Sequence, residues 1–267
     1  MAHTQEALYS NKIFLNAALP LVKVIANDVP SLKKKFEHAH AVIQVSCLDP
    51  EVEGGKRGMH FVVNSGEWLV HTCLTKDPHI ELEFKSMENL NDFFKGKITP
   101  AGIPKIRGIK YAGTLVSFVM VLLKMANLLG ATEPPKDEET KELLVKCYFY
   151  LLSSGISQLN KMGHKEIREW TAKSPDRVYA FAVDGYPQVS AFLRIKAGKS
   201  RAGRGEYKRA MPFFTLRFNN LDSALGILMS IDDMLEATKA GRLIMDGGPE
   251  FGAQLGGFML EIGALAK

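Results

Sequence analysis

The strongest constraint on this chain is an order of elements that it states twice. Residues 13–38 place apolar side chains at helical spacing, interrupted at Pro20 and near Pro30. Residues 41–48 alternate and stop at Asp49-Pro50. Residues 59–63 and 68–74 read as strands joined at Asn64-Ser65-Gly66, and 79–84 alternate again. Ser86 suits the N-cap of a short helix that runs through Phe93 and Phe94 and ends at Gly96. Residues 104–107 then predict a last strand before an apolar helix over 114–129. The second pass opens with a helix over 138–162, which 166–171 extend. Strands follow over 178–183 and 188–196, around Asp184-Gly185-Tyr186-Pro187. A strand over 211–218, a helical stretch over 220–239, a strand over 242–245 and a closing helix over 249–264 complete it.

Three matches tie the passes together. Val63 and Val183 precede comparable turns (183 − 63 = 120), and Leu82-Glu83-Phe84 aligns with Leu216-Arg217-Phe218 (216 − 82 = 134). Gly96 aligns with Gly241 (241 − 96 = 145). Growing offsets between matching elements are what a diverged duplication leaves. The expected division is therefore 1–130, a linker at 131–136 carrying Pro134-Pro135, and 137–267. In this alignment the strand over 41–48 has no counterpart. Composition agrees with a folded chain: 46% hydrophobic and 24% charged residues exclude a disordered polymer, a collagen and a disulfide miniprotein. Three scattered cysteines, and an amino terminus without a basic start or apolar block, lead to the expectation of a reducing, cytoplasmic setting.

The first pass resembles the sterol carrier protein type-two domain. The likeness is carried by residues 60–63, 68–73 and 80–84, and most specifically by Ser86-Met87-Glu88-Asn89-Leu90-Asn91-Asp92-Phe93-Phe94-Lys95-Gly96-Lys97-Ile98. It extends more weakly over 138–264. It implies an α+β fold of two tandem sterol-carrier-like units. Each would be a mainly antiparallel sheet with helices packed on one face around an apolar tunnel. It also implies a hydrophobic ligand, such as a sterol, fatty acid, acyl chain or phospholipid, bound and transferred without a cofactor or metal.

The residues leave room for such a ligand. Leu115, Phe118, Val119, Leu122 and Met125 share one face of the helix over 114–129, and Val116, Met120 and Leu123 make its opposite face apolar too. At sixteen residues this stretch falls short of the ~20 a bilayer crossing needs. Burial on both sides is expected instead, by protein, by ligand or by the second copy of a homodimer. In the last helix Phe251, Leu255, Phe258 and Met259 line one face. Gly252 and Gly256 allow close approach to a neighbour, and each weakens the helix by about 1 kcal/mol relative to Ala. With Phe93, these nine side chains form the candidate lining. Ten buried methylenes at ~0.8 kcal/mol each would supply roughly 8 kcal/mol before association costs.

Charge offers one more feature. The net charge of +5 is too small to imply nucleic-acid binding. Yet Lys196, Lys199, Arg201, Arg204, Lys208 and Arg209 cluster among three glycines, which predicts a flexible basic loop able to meet an anionic membrane. Signatures of chemistry are sparse. His38 with His40, and His60 with His71, lack metal-ligand spacing, and no Gly-x-Ser-x-Gly elbow occurs. Glu81 and Glu83 alternate as the wet side of a sheet would, Cys47 and Cys73 suit small core positions, and Asp232-Asp233 suits a helix start. An enzyme or accessory subunit acting on a hydrophobic acyl or aromatic substrate is the alternative function, without residues assigned to catalysis.

Overall fold

The central strand in each half of the chain pairs antiparallel with one neighbour and parallel with the other, and the other elements are arranged around it. A computed structural model describes residues 3–266. It divides the chain into two units, the first built on residues up to Asn127 and the second running from Leu128 to Ala264.

The first unit opens with α1 (Gln5–Ile13), capped by the Thr4 hydroxyl, which accepts from the Ala7 amide at 3.2 Å. The chain stays helical through a wider π turn over Phe14–Ala18, where the Leu19 amide donates to the Phe14 carbonyl at 2.9 Å. Pro20 lacks a donor and crowds the carbonyl four residues earlier, which the wider turn relieves. After α2 (Leu21–Asp28) and α3 (Pro30–Lys33) come β1 (His40–Leu48), β2 (Lys56–Asn64), β3 (Glu67–His71), β4 (Ile80–Phe84), α4 (Met87–Phe94), β5 (Lys105–Arg107) and α5 (Ala112–Leu129). The strand order is β3-β2-β1-β4-β5, with β1 antiparallel to β2 and parallel to β4. Ile43, Val45 and Cys47 of β1 point into the core, where Phe61 meets Trp68 at 5.6 Å and Phe118 of α5 at 5.7 Å.

The second unit comprises α6 (Glu138–Met162), α7 (Lys165–Lys173), β6 (Arg177–Val183), β7 (Ala191–Lys196), β8 (Lys199–Arg204), β9 (Phe214–Phe218), α8 (Leu221–Leu228), α9 (Met234–Lys239), β10 (Leu243–Asp246) and α10 (Pro249–Leu265). Its sheet order, β10-β9-β6-β7-β8, is the first sheet's order read from the other edge. β6 is again antiparallel to one neighbour, β7, and parallel to the other, β9. Both folds are thus α+β with a mixed sheet in which three of four pairings are antiparallel.

The shared topology corrects the expected alignment. β1 does have a counterpart, β6, and the turn matching Ser65-Gly66 is Ala197-Gly198 (197 − 65 = 132), not Asp184-Gly185. Both two-residue turns have positive φ throughout, 49° and 80° in the first and 50° and 74° in the second, the geometry whose twist suits a tight hairpin. Residues 196–209 are accordingly not one flexible loop. Lys199–Arg204 form an edge strand paired with β7, anchored by Ser200, whose hydroxyl accepts from Asn160 of α6 at 3.0 Å. The stretch over 220–239 also breaks. α8 stops at Leu228 and the chain turns through Ser230, with φ 59°, before the Asp233 carboxylate caps α9. The strand expected from residue 211 begins at Phe214.

Gly108 fixes the join between β5 and α5. Its φ is 95°, and a Cβ there would lie 2.0 Å from the His79 carbonyl oxygen. Gly108→Ala is expected to lower the stability of the chain by about 2 kcal/mol or more. A urea midpoint equal to that of the parent chain would show that this backbone contact is not a constraint.

Candidate ligand site

In the second unit an aromatic wall lies between the sheet and α10. Tyr179 of β6, fully buried, lies 5.0 Å from Trp170 of α7 and 6.2 Å from Phe251 of α10 between ring centroids. Trp170 reaches Phe258 at 5.1 Å, and Phe251 reaches Phe213 at 4.9 Å. α10 comes this close because its glycines meet neighbours that a side chain would strike. A Cβ on Gly252 would lie 2.4 Å from the Met245 sulfur of β10, and one on Gly256 2.9 Å from the Met234 sulfur of α9. Gly155 of α6 does the same from the other side, where a Cβ would stand 2.9 Å from Ile262 of α10.

Two polar groups interrupt this wall. The Tyr179 hydroxyl is buried and makes no hydrogen bond, a condition that costs about 1–3 kcal/mol. Two residues earlier on the same face of β6, Arg177 holds its guanidinium 3.8 Å over the Phe213 ring and 5.4 Å from Phe251, with no carboxylate in ion-pair reach among the described residues. Phe213 is 39% exposed, so the stacked pair sits at the rim while Tyr179 sits inside. Of the residues expected from the helical period, Leu255, Phe258 and Met259 are buried on α10 and Phe251 joins the aromatic wall. Arg177 and Tyr179 were not among the expected residues, and their i, i+2 spacing on a strand is the signal that links them.

In the first unit the corresponding helix behaves differently. Phe118 and Met125 of α5 are buried, and Leu115, Val119 and Leu122 are half-buried. Phe93 stacks edge-on against Phe84 at 5.2 Å. These side chains fill the core face of the sheet. The opposite face, expected to be covered, is open: Val116 and Leu123 are each 59% exposed and Met120 40%. The reason is that one face of the helix is enough to close the sheet.

Two clefts of about 270 and 240 Å³ are both in the first unit and polar, and none of the ten expected lining residues borders them. The larger lies beside Gln44, Lys56, Thr75, Glu81 and Arg107 on the outer face of the sheet. Here the expectation of a wet strand face fails. Glu81 and Glu83 are 3% and 7% exposed, because a network covers them. Glu81 accepts from Ser46 at 2.7 Å, Gln44 at 2.9 Å and Lys56 at 3.2 Å. Glu83 accepts from Arg107 at 3.0 Å and also pairs with Lys56. Burial pushes the Glu81 carboxyl up, but the Ser46, Gln44 and Lys56 hydrogen bonds outweigh it and hold the group below its ordinary range. With its carboxylates saturated, this network is a structural ion cluster rather than a base.

Near the amino terminus His3 bonds Glu88 at 2.6 Å and Asp49 at 3.0 Å, and Arg57 shares Asp49. His3, Asp49 and Glu51 bring ligand-type atoms within 4.8 Å of one another. Both His3 nitrogens are already committed to carboxylates, and the Asp49 hydrogen bond foremost raises the imidazole above its ordinary value. His60 and His71 stack on neighbouring strands at 4.7 Å. Cys47 is buried, which pushes its thiol up to about 11, whereas Cys73 is exposed rather than a core residue. Asp233 does cap a helix, as expected.

The six basic residues of 196–209 do not form one surface. Lys196 pairs with Asp176 at 3.4 Å, Arg204 lies 5.0 Å over the Tyr150 ring on the α6 side, and Lys199 and Arg201 alternate onto the opposite face of β8. Lys208 and Arg209 are exposed beyond the strand. Charges on an edge strand discourage pairing with a further strand.

No protein-family model matches the chain, and no curated protein is similar to it. Solved structures with related architecture are sterol-carrier-like domains. A ubiquinone synthesis protein, UbiJ-SCP2, is 16% identical, over 44% of this chain and 96% of its own, with a TM-score of 0.29. A conserved hypothetical protein of Thermus thermophilus, with a suggested sterol carrier assignment, is 18% identical over 43% and 85%, with a TM-score of 0.30. Sterol carrier protein 2 is 20% identical over 42% and 92%, with a TM-score of 0.27.

The ion cluster makes a pH-dependent prediction. A carboxyl held below its ordinary value of 4.5 contributes stability above that value and loses it as the pH falls through the lowered one. Lys56→Met reverses the sign by leaving buried carboxylates short of a cation. It should cost about 2–3 kcal/mol at neutral pH and clearly less near pH ~4, where protonation relieves them. Equal losses at both pH values in urea unfolding would refute the assignment.

Proposed function

We propose that the second unit binds an amphipathic apolar ligand between its sheet and α10, with the ligand's oxygen-bearing end near Tyr179 and Arg177. The observation that carries this reading is the buried Tyr179 hydroxyl without a partner, in line on β6 with a guanidinium that stacks on Phe213 and has no ion pair among the described residues. A fatty acid or acyl chain fits both features: its hydrocarbon replaces contacts among Phe251, Phe258 and Trp170, and its oxygens satisfy the hydroxyl and the cation. A sterol hydroxyl satisfies Tyr179 alone, so Arg177 favours the acid. The glycines of α10 support entry, since that helix rests on the flexible ends of Met245 and Met234. Two tandem units of sterol-carrier type, each with an apolar tunnel, and transfer between membranes as the outcome of binding, belong to the same proposal.

The test begins with organic-solvent extraction of the purified chain and mass spectrometry. A near-stoichiometric fatty acid or acyl lipid is expected. Tyr179→Phe and Arg177→Gln should each weaken binding of a fluorescent fatty acid about tenfold, and the first should raise the thermal stability of the lipid-free chain, because it removes the unbonded hydroxyl. No extracted lipid, together with no fatty-acid binding by the parent chain, would eliminate the reading.

A further inference from the structure

Residues 93–132 contain six lysines and arginines and not one aspartate or glutamate. Arg107 is consumed by Glu81 and Glu83, at 3.4 and 3.0 Å. The five lysines of this stretch make no ion pair among the described residues. The same stretch holds the densest set of exposed apolar side chains in the chain. Ile98, Ile103, Ile106 and Ile109 are 63, 54, 44 and 80% exposed around the edge strand β5, and Val116 and Leu123 continue onto the open face of α5. Ile106 pairs in register with Leu82, so it emerges on the sheet face that α5 covers. Ile106 and the helix therefore belong to one side of the sheet. The helical segment from Ile109 to Leu129 is 21 residues with a mean hydropathy of 1.8, longer than the sixteen expected, and 28% of that window is buried.

We infer that the β5 edge and the open face of α5 form a docking surface for an anionic lipid bilayer. Isoleucines that stand in water beside unpaired lysines match an interface where apolar side chains enter the acyl boundary and ammonium groups meet lipid phosphates. A second protein copy would present this acid-free surface with its own lysines, which repel. Helix α5 lies on the bilayer rather than across it, because Phe118, Val121 and Met125 are buried in the core of the unit. The surface shares no residue with the Arg177–Tyr179 site, and the inference stands without it.

Vesicle co-sedimentation of the full chain tests this. Vesicles of phosphatidylcholine with about one-third phosphatidylserine should bind the chain, those of phosphatidylcholine alone much less, and salt should weaken the binding. The double variants Ile103→Ser/Ile109→Ser and Lys97→Gln/Lys110→Gln change exposed side chains and should each reduce binding about tenfold or more with unaltered circular dichroism. The variant Lys199→Gln/Arg201→Gln in β8 should bind like the parent. The inference is overturned by equal affinity for both vesicle types, by no binding to either, or by loss confined to the β8 variant. It is also overturned if sedimentation equilibrium reveals a dimer that the isoleucine substitutions dissociate.

Discussion

The parallel pairing of the central strand with the strand that follows its hairpin in sequence is the interaction on which each unit depends. β1 and β4 run together over Ile43–Cys47 and Ile80–Phe84, and β6 and β9 over Tyr179–Val183 and Phe214–Phe218. A hairpin can close with two residues, but a parallel neighbour requires the chain to cross the sheet end and return. The connection before β4 or β9 does this without a helix, and the helices before the central strand and after the last one cover a single face. One face is then sealed by apolar packing. What happens on the other depends on side chains alone, and there the two sheets differ.

On the outer face of the first sheet, Gln44 and Ser46 of the central strand are as buried as its core-facing residues. They are buried because Glu81 and Glu83 bond across the parallel pair and attract Lys56 and Arg107. The second sheet puts Val178 and Ala180 at the comparable face of its central strand, and its charges move outward. Arg217 of β9 pairs with Asp184 at 2.9 Å and Asp246 at 2.8 Å, all three well hydrated. A buried ion cluster needs every lone pair engaged to offset desolvation, which fixes the rotamers of six side chains. The outer face of the first sheet is therefore rigid and committed, whereas the second leaves its polar irregularity, Tyr179, on the core side.

How much of this the sequence disclosed follows from periodicity. Strands such as β1 and β4, and helices with caps such as Ser86, were legible because local chemistry and packing agree. The turn Ala197-Gly198 was not, since alanine rarely takes a positive φ and basic residues with glycines imitate a loop. That one missed hairpin displaced the alignment by a strand and left β1 without its partner. Glu81 and Glu83 misled for another reason. Alternating acids mark a wet face only if no cation arrives from elsewhere, and Lys56 arrives from two strands away. Apolar side chains of the closing helices were identified correctly as a class, but whether each faces core, ligand or solvent is a tertiary property.

The closing helices make that last point physical. α5 and α10 occupy the same place in the order and are similarly apolar, yet they meet their sheets by different means. α5 presents Phe118 as a core plug onto Phe61 and leaves Val116, Met120 and Leu123 exposed on its opposite face. α10 lowers itself onto Met245 and Met234 through Gly252 and Gly256, so its large rings turn inward against Tyr179 and Trp170. The apolar residues on the far side of the first helix make an outward apolar surface, and the glycines of the second let it close on an inward aromatic wall. The same architecture thus yields a surface in one unit and an interior in the other, and the difference lies in which residues, apolar or glycine, each helix places on its two faces.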